Sequence, residues 1–347
     1  MEAADAELLP GLPPELALEC LTRLPHTAHR VASRVCRRWR ELFRSQDFYS
    51  HRKKWGYTHK VACLVQSLPA ISGGGAGARK KSRSPAYGIS VFYPASGSWV
   101  RLGPVLEYPN GLPLFCQVCG SEGKLVVMGG WDPASYEPVT DVFVYDFTTG
   151  QWRRGRDMPS KRSFFAAGAG GDGVVYVAGG HDESKNALSS AWAYDLGRDE
   201  WRELTRMSRE RDECEGVVAG DEFWVVSGYG SDMQGGFEGC AEAYEVGTGR
   251  WRRVEGAWKA GRCPRGCVGV GKGGELVEWG GLEALVRVGT CGVRMGNRVL
   301  LTGSEYEGGP QGFFLAEMGE GENGKLDRVD VPSEFSGFAQ SGCCVEI

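Results

Sequence analysis

Three short patterns in this chain carry residue types that could do chemistry. Gly266-x4-Gly271-Lys272 imitates a loop that cradles phosphate with backbone N–H groups and a lysine. Gly168, Gly170 and Gly173 form a GxGxxG, and Cys116-x2-Cys119 has the spacing of half a zinc site. None meets its full requirement. Gly273 stands where the phosphate loop needs Ser or Thr, and neither glycine pattern opens a predicted helix. Cys263 and Cys267 have three residues between them and are too distant in the chain to complete a zinc set. In a strand, positions 116 and 119 face opposite sides, so both read as buried free thiols. No Ser, His and Asp constellation can be assembled. The expectation is no catalytic residue, no metal and no cofactor, and attention moves to residues that a partner would grip.

The elements that must position such residues follow from composition and repeats. The chain has 347 residues with 53 Gly, 24% charged and 41% hydrophobic residues, so neither disorder nor a membrane protein is expected. MEAADAELLP lacks the apolar run of a secretory signal, and no apolar stretch approaches the ~20 residues of a membrane span. The twelve Cys are therefore expected in a reducing compartment, cytoplasm or nucleus, mostly as free thiols. Net charge is −4, which excludes a nucleic-acid footprint for the chain as a whole. Charge is uneven: residues 1–60 hold 11 Lys and Arg against 7 Asp and Glu, and residues 61–347 hold 29 against 37. Gly is sparse before residue 60 and dense after it, which marks a boundary there.

Residues 61–347 repeat. Trp99, Trp152, Trp201 and Trp251 are 53, 49 and 50 apart. Seven residues before the last three stands a Tyr with an acid, Tyr145-Asp146, Tyr194-Asp195 and Tyr244-Glu245, and Phe92 precedes Trp99 by the same offset. Upstream lie apolar runs ending in small residues: LVVMGG (125–130), VVYVAGG (174–180), FWVVSG (223–228) and ELVEWGG (275–281). Each unit reads as four short strands, with Gly where backbones crowd and aromatics between sheets. This pattern resembles the kelch repeat, most strongly over 101–255, and the resemblance implies a mainly β fold, a propeller. Dividing 287 residues by about 48 predicts six blades. Residues 266–289 and 291–332 lack the Tyr-acid…Trp signature, and the first unit lacks an inner strand that SGCCVEI (341–347) could supply. Residues 72–86 read as a flexible loop, with Arg79, Lys80, Lys81 and Arg83 as a minor nuclear-import reading.

Ahead of the repeat, helices are predicted over 9–25, 29–43 and 46–55, with Thr27 as a helix N-cap. Leu12, Pro13, Leu16, Leu21, Leu24, Pro25, Val35, Cys36, Trp39 and Leu42, with Glu15 and Arg37, stand in the pattern of an F-box, which residues 9–55 resemble after an N-terminal tail at 1–8. That resemblance implies docking of those ten apolar positions to a Skp-type adaptor, and through it to a cullin ubiquitin ligase. An F-box followed by a kelch propeller over 56–347 resembles the plant F-box/kelch adaptors. The stretch VLLTGSEYEGGPQGFFL (299–315) and the C-terminal residues after it resemble the subgroup acting on phenylalanine ammonia-lyase or type-B response regulators.

The client would be gripped where long loops gather, on the face shared by second-to-third-strand loops and interblade links. Trp131, Tyr136, Arg162, His181, Arg209, Arg211, Tyr229, Arg265 and Tyr306 lie there, Arg and aromatics being favoured contact types. For each Arg, a loop-bracing role weighs equally. The reading is a non-enzymatic substrate adaptor without nucleic-acid or membrane partners. Two alternatives remain: a cytoskeletal kelch scaffold, which needs no F-box, and a kelch oxidoreductase. The copper radical oxidase of that fold takes two His and two Tyr, and here only His181, with His59 at the boundary, is available.

Overall fold

The computed structural model describes residues 7–69, 85–171, 173–271, 273–279, 286–318 and 326–347. All of the expected loop at 72–86 except its last two residues, and with it the import reading, lies outside them.

Four short helices come first: α1 (Pro14–Thr22), α2 (His26–Ala32), α3 (Arg37–Arg44) and α4 (Gln46–Lys54). The single helix expected over 29–43 is broken. Cys36 is fully extended (φ −153°, ψ 170°), and its Sγ accepts the Trp39 N–H at 3.4 Å, so α3 starts afresh with its own cap. Thr27 caps nothing, since α2 already begins at His26, after Pro25. Leu21, Ala32, Phe43 and Phe48 form a small helical core, with the Phe43 and Phe48 rings edge to face at 4.9 Å.

The rest is β-structure. The first sheet holds β1 (Lys60–Ser67), β2 (Tyr87–Tyr93) and β3 (Ser98–Arg101). The second holds β4 (Gln117–Ser121), β5 (Lys124–Met128), β6 (Val142–Asp146) and β7 (Gln151–Arg154). The third is β8 (Ala166–Ala169), β9 (Val174–Ala178), β10 (Ala191–Asp195) and β11 (Glu200–Glu203). The fourth is β12 (Glu215–Ala219), β13 (Glu222–Val226), β14 (Ala241–Glu245) and β15 (Arg250–Val254). Then come the pair β16 (Val268–Val270) and β17 (Leu276–Glu278), and the sheet β18 (Val288–Met295), β19 (Arg298–Ser304), β20 (Gly312–Glu317) and β21 (Leu326–Arg328). The last strand, β22 (Ala339–Glu346), pairs antiparallel with β1 and completes the first sheet in the order β22-β1-β2-β3. The expected closure by the C-terminal stretch is therefore found.

Among the described residues the propeller has five four-stranded blades, not the six expected. Among the described residues, the unit at 266–279 supplies only the two-stranded β16–β17. Its sequence lacks the Tyr-acid…Trp hairpin, as does 291–332, which nevertheless forms four strands. The pseudo-phosphate loop falls on β16 and its flanks, so Gly266 to Gly271 is strand and turn.

The repeated aromatics work as cross-strand pairs. Phe92↔Trp99, Tyr145↔Trp152, Tyr194↔Trp201 and Tyr244↔Trp251 are all opposed in register. The Trp side chains of the middle three blades also staple blade to blade. Trp152 Nε1 donates to Gly103 O at 2.8 Å, Trp201 Nε1 to Arg156 O at 2.8 Å, and Trp251 Nε1 to Thr205 O at 2.7 Å. At the end of β5, Gly130 has φ +90°, and a Cβ there would stand 2.5 Å from Leu114 O, which explains the recurring Gly pair.

Candidate functional site

Two surfaces stand on opposite faces of the ring. The helices sit on the face carrying the turns at 122–123 and 147–150. His26 Nε2 bonds Phe147 O at 2.8 Å, Tyr49 OH donates to Glu346 O at 3.2 Å, and Thr58 Oγ1 donates to Glu346 Oε1 at 2.6 Å. At the centre of this junction Arg52 is buried. Its Nη1 donates to Leu24 O at 2.7 Å and to the His29 ring, and its Nη2 donates to Tyr57 O at 2.6 Å. Burial, with Arg52 nearby, lowers the pKa of His29 to about 3, and burial lowers that of His26 to about 4.

The outward side of the helices bears an apolar groove of about 390 Å³, lined by Leu9, Leu21, Leu24, Ala28, Val31 and Trp39 among others. Beside it, Leu16 and Val35 are 50% and 64% exposed. Of the ten expected docking positions, Leu12, Pro13, Leu16, Pro25, Val35 and Cys36 are exposed, and Leu24, Trp39 and Leu42 are half-buried. Leu21 is 2% exposed and forms part of the helical core and the groove floor. Trp39 is anchored, its Nε1 donating to Leu8 O at 2.7 Å. Val31, not assigned to docking by sequence, is the most exposed apolar side chain of the helices at 69%. It lies near the C-terminal end of α2, just ahead of the break that sequence did not predict.

The opposite face gathers the loops after β5, β9 and β13 and the interblade links. Four expected residues come together there, around the axis. Trp131, His181 and Tyr229 each follow the small-residue pair of their blade, and each sits in an isolated bridge to the link ahead of the inner strand. Arg265 reaches across to lie 4.3 Å over the Phe164 ring and 5.4 Å over Phe115. Phe164 stacks on His181 at 5.3 Å and meets Trp131 at 5.6 Å. Sequence reasoning missed Phe115 and Phe164. They occupy the same repeat position as Glu213, all three with φ between +49° and +58°. Their common spacing of 49 was the signal that could have found them.

His181 is buried and its Nδ1 lies 2.9 Å from both Asp212 oxygens. His181 Nε2, Ser163 Oγ and Trp131 Nε1 are buried with no hydrogen-bond partner among the described residues. Tyr229 is buried too, and its OH donates to Glu213 Oε1 at 3.0 Å. Beneath this mouth, the inner strands enclose a channel of about 400 Å³. Glu215 faces it, accepting the N–H groups of Gly216 at 3.1 Å and Gly266 at 2.7 Å. Burial pushes its carboxyl pKa up.

The other five positions do not join this cluster. Arg162 and Arg211 are 1% exposed and so are not on the accessible face. Arg162 donates to Gly179 O at 3.2 Å, Ser190 O at 3.3 Å and the Ser160 and Ser190 hydroxyls at 2.9 Å. Arg211 holds Ser227 O at 2.8 Å and Glu242 at 3.3 Å. Each braces its own blade by donating to strand-end carbonyls buried there. Arg209 is exposed and paired with Glu238 at 3.2 Å, and Tyr136 and Tyr306 are 51% and 60% exposed.

Cys116 and Cys119 face different interblade clusters, as period-2 geometry requires. Burial pushes both thiols up to about 12, away from thiolate chemistry. Among the described residues, no three His, Cys, Asp or Glu side chains converge as metal ligands.

A helical module with an outward apolar groove is mounted on one face of a propeller whose other face carries the aromatic–arginine mouth. Comparison with known proteins agrees. The F-box domain family matches residues 9–51, and the Kelch motif family matches residues 114–159 and 162–208. F-box/kelch-repeat protein At1g15670 of Arabidopsis thaliana is 34% identical over 367 residues, covering 98% of this chain and all of the relative. F-box/kelch-repeat protein At2g44130 of the same plant is 41% identical over 273 residues, covering 73% of this chain and 66% of the relative. F-box/kelch-repeat protein SKIP20 is 40% identical over 285 residues, 73% of this chain and 67% of the relative. The chain belongs to the plant F-box/kelch-repeat family.

Proposed function

We propose that this protein is a substrate-recognition adaptor of a Skp–cullin–F-box ubiquitin ligase. The observation that carries this reading is the placement of the two surfaces. The apolar groove points away from one face of the ring, and the aromatic–arginine mouth opens on the other. A client held at the mouth leaves the groove free for the adaptor. Tethering alone then raises the effective concentration of client lysines near the ubiquitin-carrying enzyme. No group of this chain is required as a nucleophile. The client is a protein, in our proposal phenylalanine ammonia-lyase or a type-B response regulator, met in the cytoplasm or nucleus. The likeness of residues 299–347 to that subgroup supports this choice.

The test has two arms. Purified Skp-type adaptor should bind the full chain, and Leu16→Ala/Val35→Ala should weaken that binding roughly tenfold or more. Equal binding by both forms rejects the docking half. Co-expressed phenylalanine ammonia-lyase or response regulator should be short-lived with the wild type and persist with Trp131→Ala/Arg265→Ala. Client half-lives that do not respond to that variant reject the client half.

A further inference from the structure

The stretch from His26 to Lys54 holds nine Lys and Arg against two Asp and Glu, which leaves 31 basic and 42 acidic residues for the rest of the chain. The positive charge of the molecule is thus gathered on its helical end. Arg34, Arg37, Arg38 and Arg44 are exposed there, and none takes part in an ion pair among the described residues. Two of them oppose the local field. Arg37 and Arg38 open α3, whose first turn carries no acidic residue, so they sit at the positive end of the helix dipole. Exposed cations gathered this way repel one another and gain nothing from the fold. Their neighbour is the apolar groove: Trp39, on α3 with three of them, and Val31, on α2 just ahead of Arg34, line it. Of the acidic side chains of this module, Glu15 and Glu19 are on α1, with Glu19 paired to Arg23, and Asp47 is on α4; Glu41 stands one turn from Arg37, Arg38 and Arg44 on α3 but forms no ion pair with them among the described residues.

We infer that the groove's partner is a protein whose binding site carries a carboxylate-rich rim facing the α2–α3 side, and that this rim steers the encounter. The inference rests on the adaptor reading above. Greasy side chains beside the cations favour a protein over nucleic acid. A duplex would meet the arginines but would leave Val31, Val35 and the groove uncovered. The apolar contacts then set how long the complex lasts, and the arginines set how fast it forms.

The experiment measures association and dissociation rates of purified Skp-type adaptor on the full-length chain at 50, 150 and 500 mM NaCl. Wild-type association should slow about tenfold or more across that range while dissociation changes little. Arg34→Gln/Arg37→Gln/Arg38→Gln should lose about tenfold in low-salt association rate and flatten the salt dependence. The matching Lys triple should keep the wild-type slope. Val31→Ala/Val35→Ala should dissociate faster with the slope intact. Salt-independent wild-type association, or a Gln triple that keeps the wild-type slope, overturns the inference and leaves the adaptor reading standing. Binding to a 20-base-pair DNA duplex tighter than to the adaptor overturns it in favour of nucleic acid. Absence of adaptor binding at every salt concentration removes both.

Discussion

The guanidinium of Arg211 is shut away from water with Glu242, the Ser227 carbonyl and the Cys240 thiol. Both Arg211 and Glu242 are 1% exposed, and although Arg211 also lies 3.7 Å from Glu238, removing the guanidinium leaves the Glu242 carboxylate without its cation in a low-dielectric site. Arg211→Met should cost about 3–5 kcal/mol in urea unfolding, and Arg211→Met/Glu242→Leu should recover much of that loss. A single variant within about 0.5 kcal/mol of wild type would contradict the brace. At this scale the sequence was half legible. Trp131, His181, Tyr229 and Arg265 do converge on the mouth. Arg162 and Arg211 share their residue type and loop position with true surface arginines, and only the third dimension separates them. Nothing in one chain's letters distinguishes an arginine that reaches for a partner from one that caps its own strand ends.

Among the elements, the inner strands come closest together. A Cβ on Gly120 in β4 would lie 2.0 Å from Cys344 O in β22, a contact with backbone that no rotamer relieves. Gly120→Ala should therefore cost about 1–3 kcal/mol and lower the melting temperature by several degrees. An unchanged melting curve would show that the two strands can separate freely. The blade strands were readable because Tyr–Trp pairs seven apart fix a hairpin register, and because the Gly pairs mark where strands end. The helices were less so. Val31, Val35, Trp39 and Leu42 keep a helical spacing straight through the break at residues 33–36, so periodicity hides it. Cys36 as a cap gives only a weak signal beside Ser, Thr, Asp or Asn. The two-stranded unit at 266–279 could not be told from the absent Trp, because 291–332 lacks that Trp as well and forms four strands, and an average of about 48 residues per unit concealed the short one.

For the whole molecule, the junction between helices and ring is where acidity should act first. His26, His29 and His59 lie there with Arg52, and Asp146, Lys53 and Glu346 are the other charged groups around them. Burial holds His26 near 4, below the ordinary 6.5. A depressed histidine is neutral when packed, so an unfolded chain binds the extra proton in between. Stability from this site is complete above about pH 6.5 and falls as pH drops toward 4, by about 3 kcal/mol for His26 alone. Melting temperature should drop between pH 6.5 and 5, before carboxylates titrate, and His26→Gln should flatten that slope. A curve level over that interval would mean that the junction opens without protonation.

The pairing of β22 with β1 has a consequence in time. Lys60 meets Glu346, so the first strand of the ring is made some 286 residues before its neighbour. Throughout synthesis Val61, Cys63 and Val65 belong to a bare, sticky margin with nothing to zip against. That margin is covered only when β22 arrives to pair with it, so closure of the first sheet is the last pairing the chain can make.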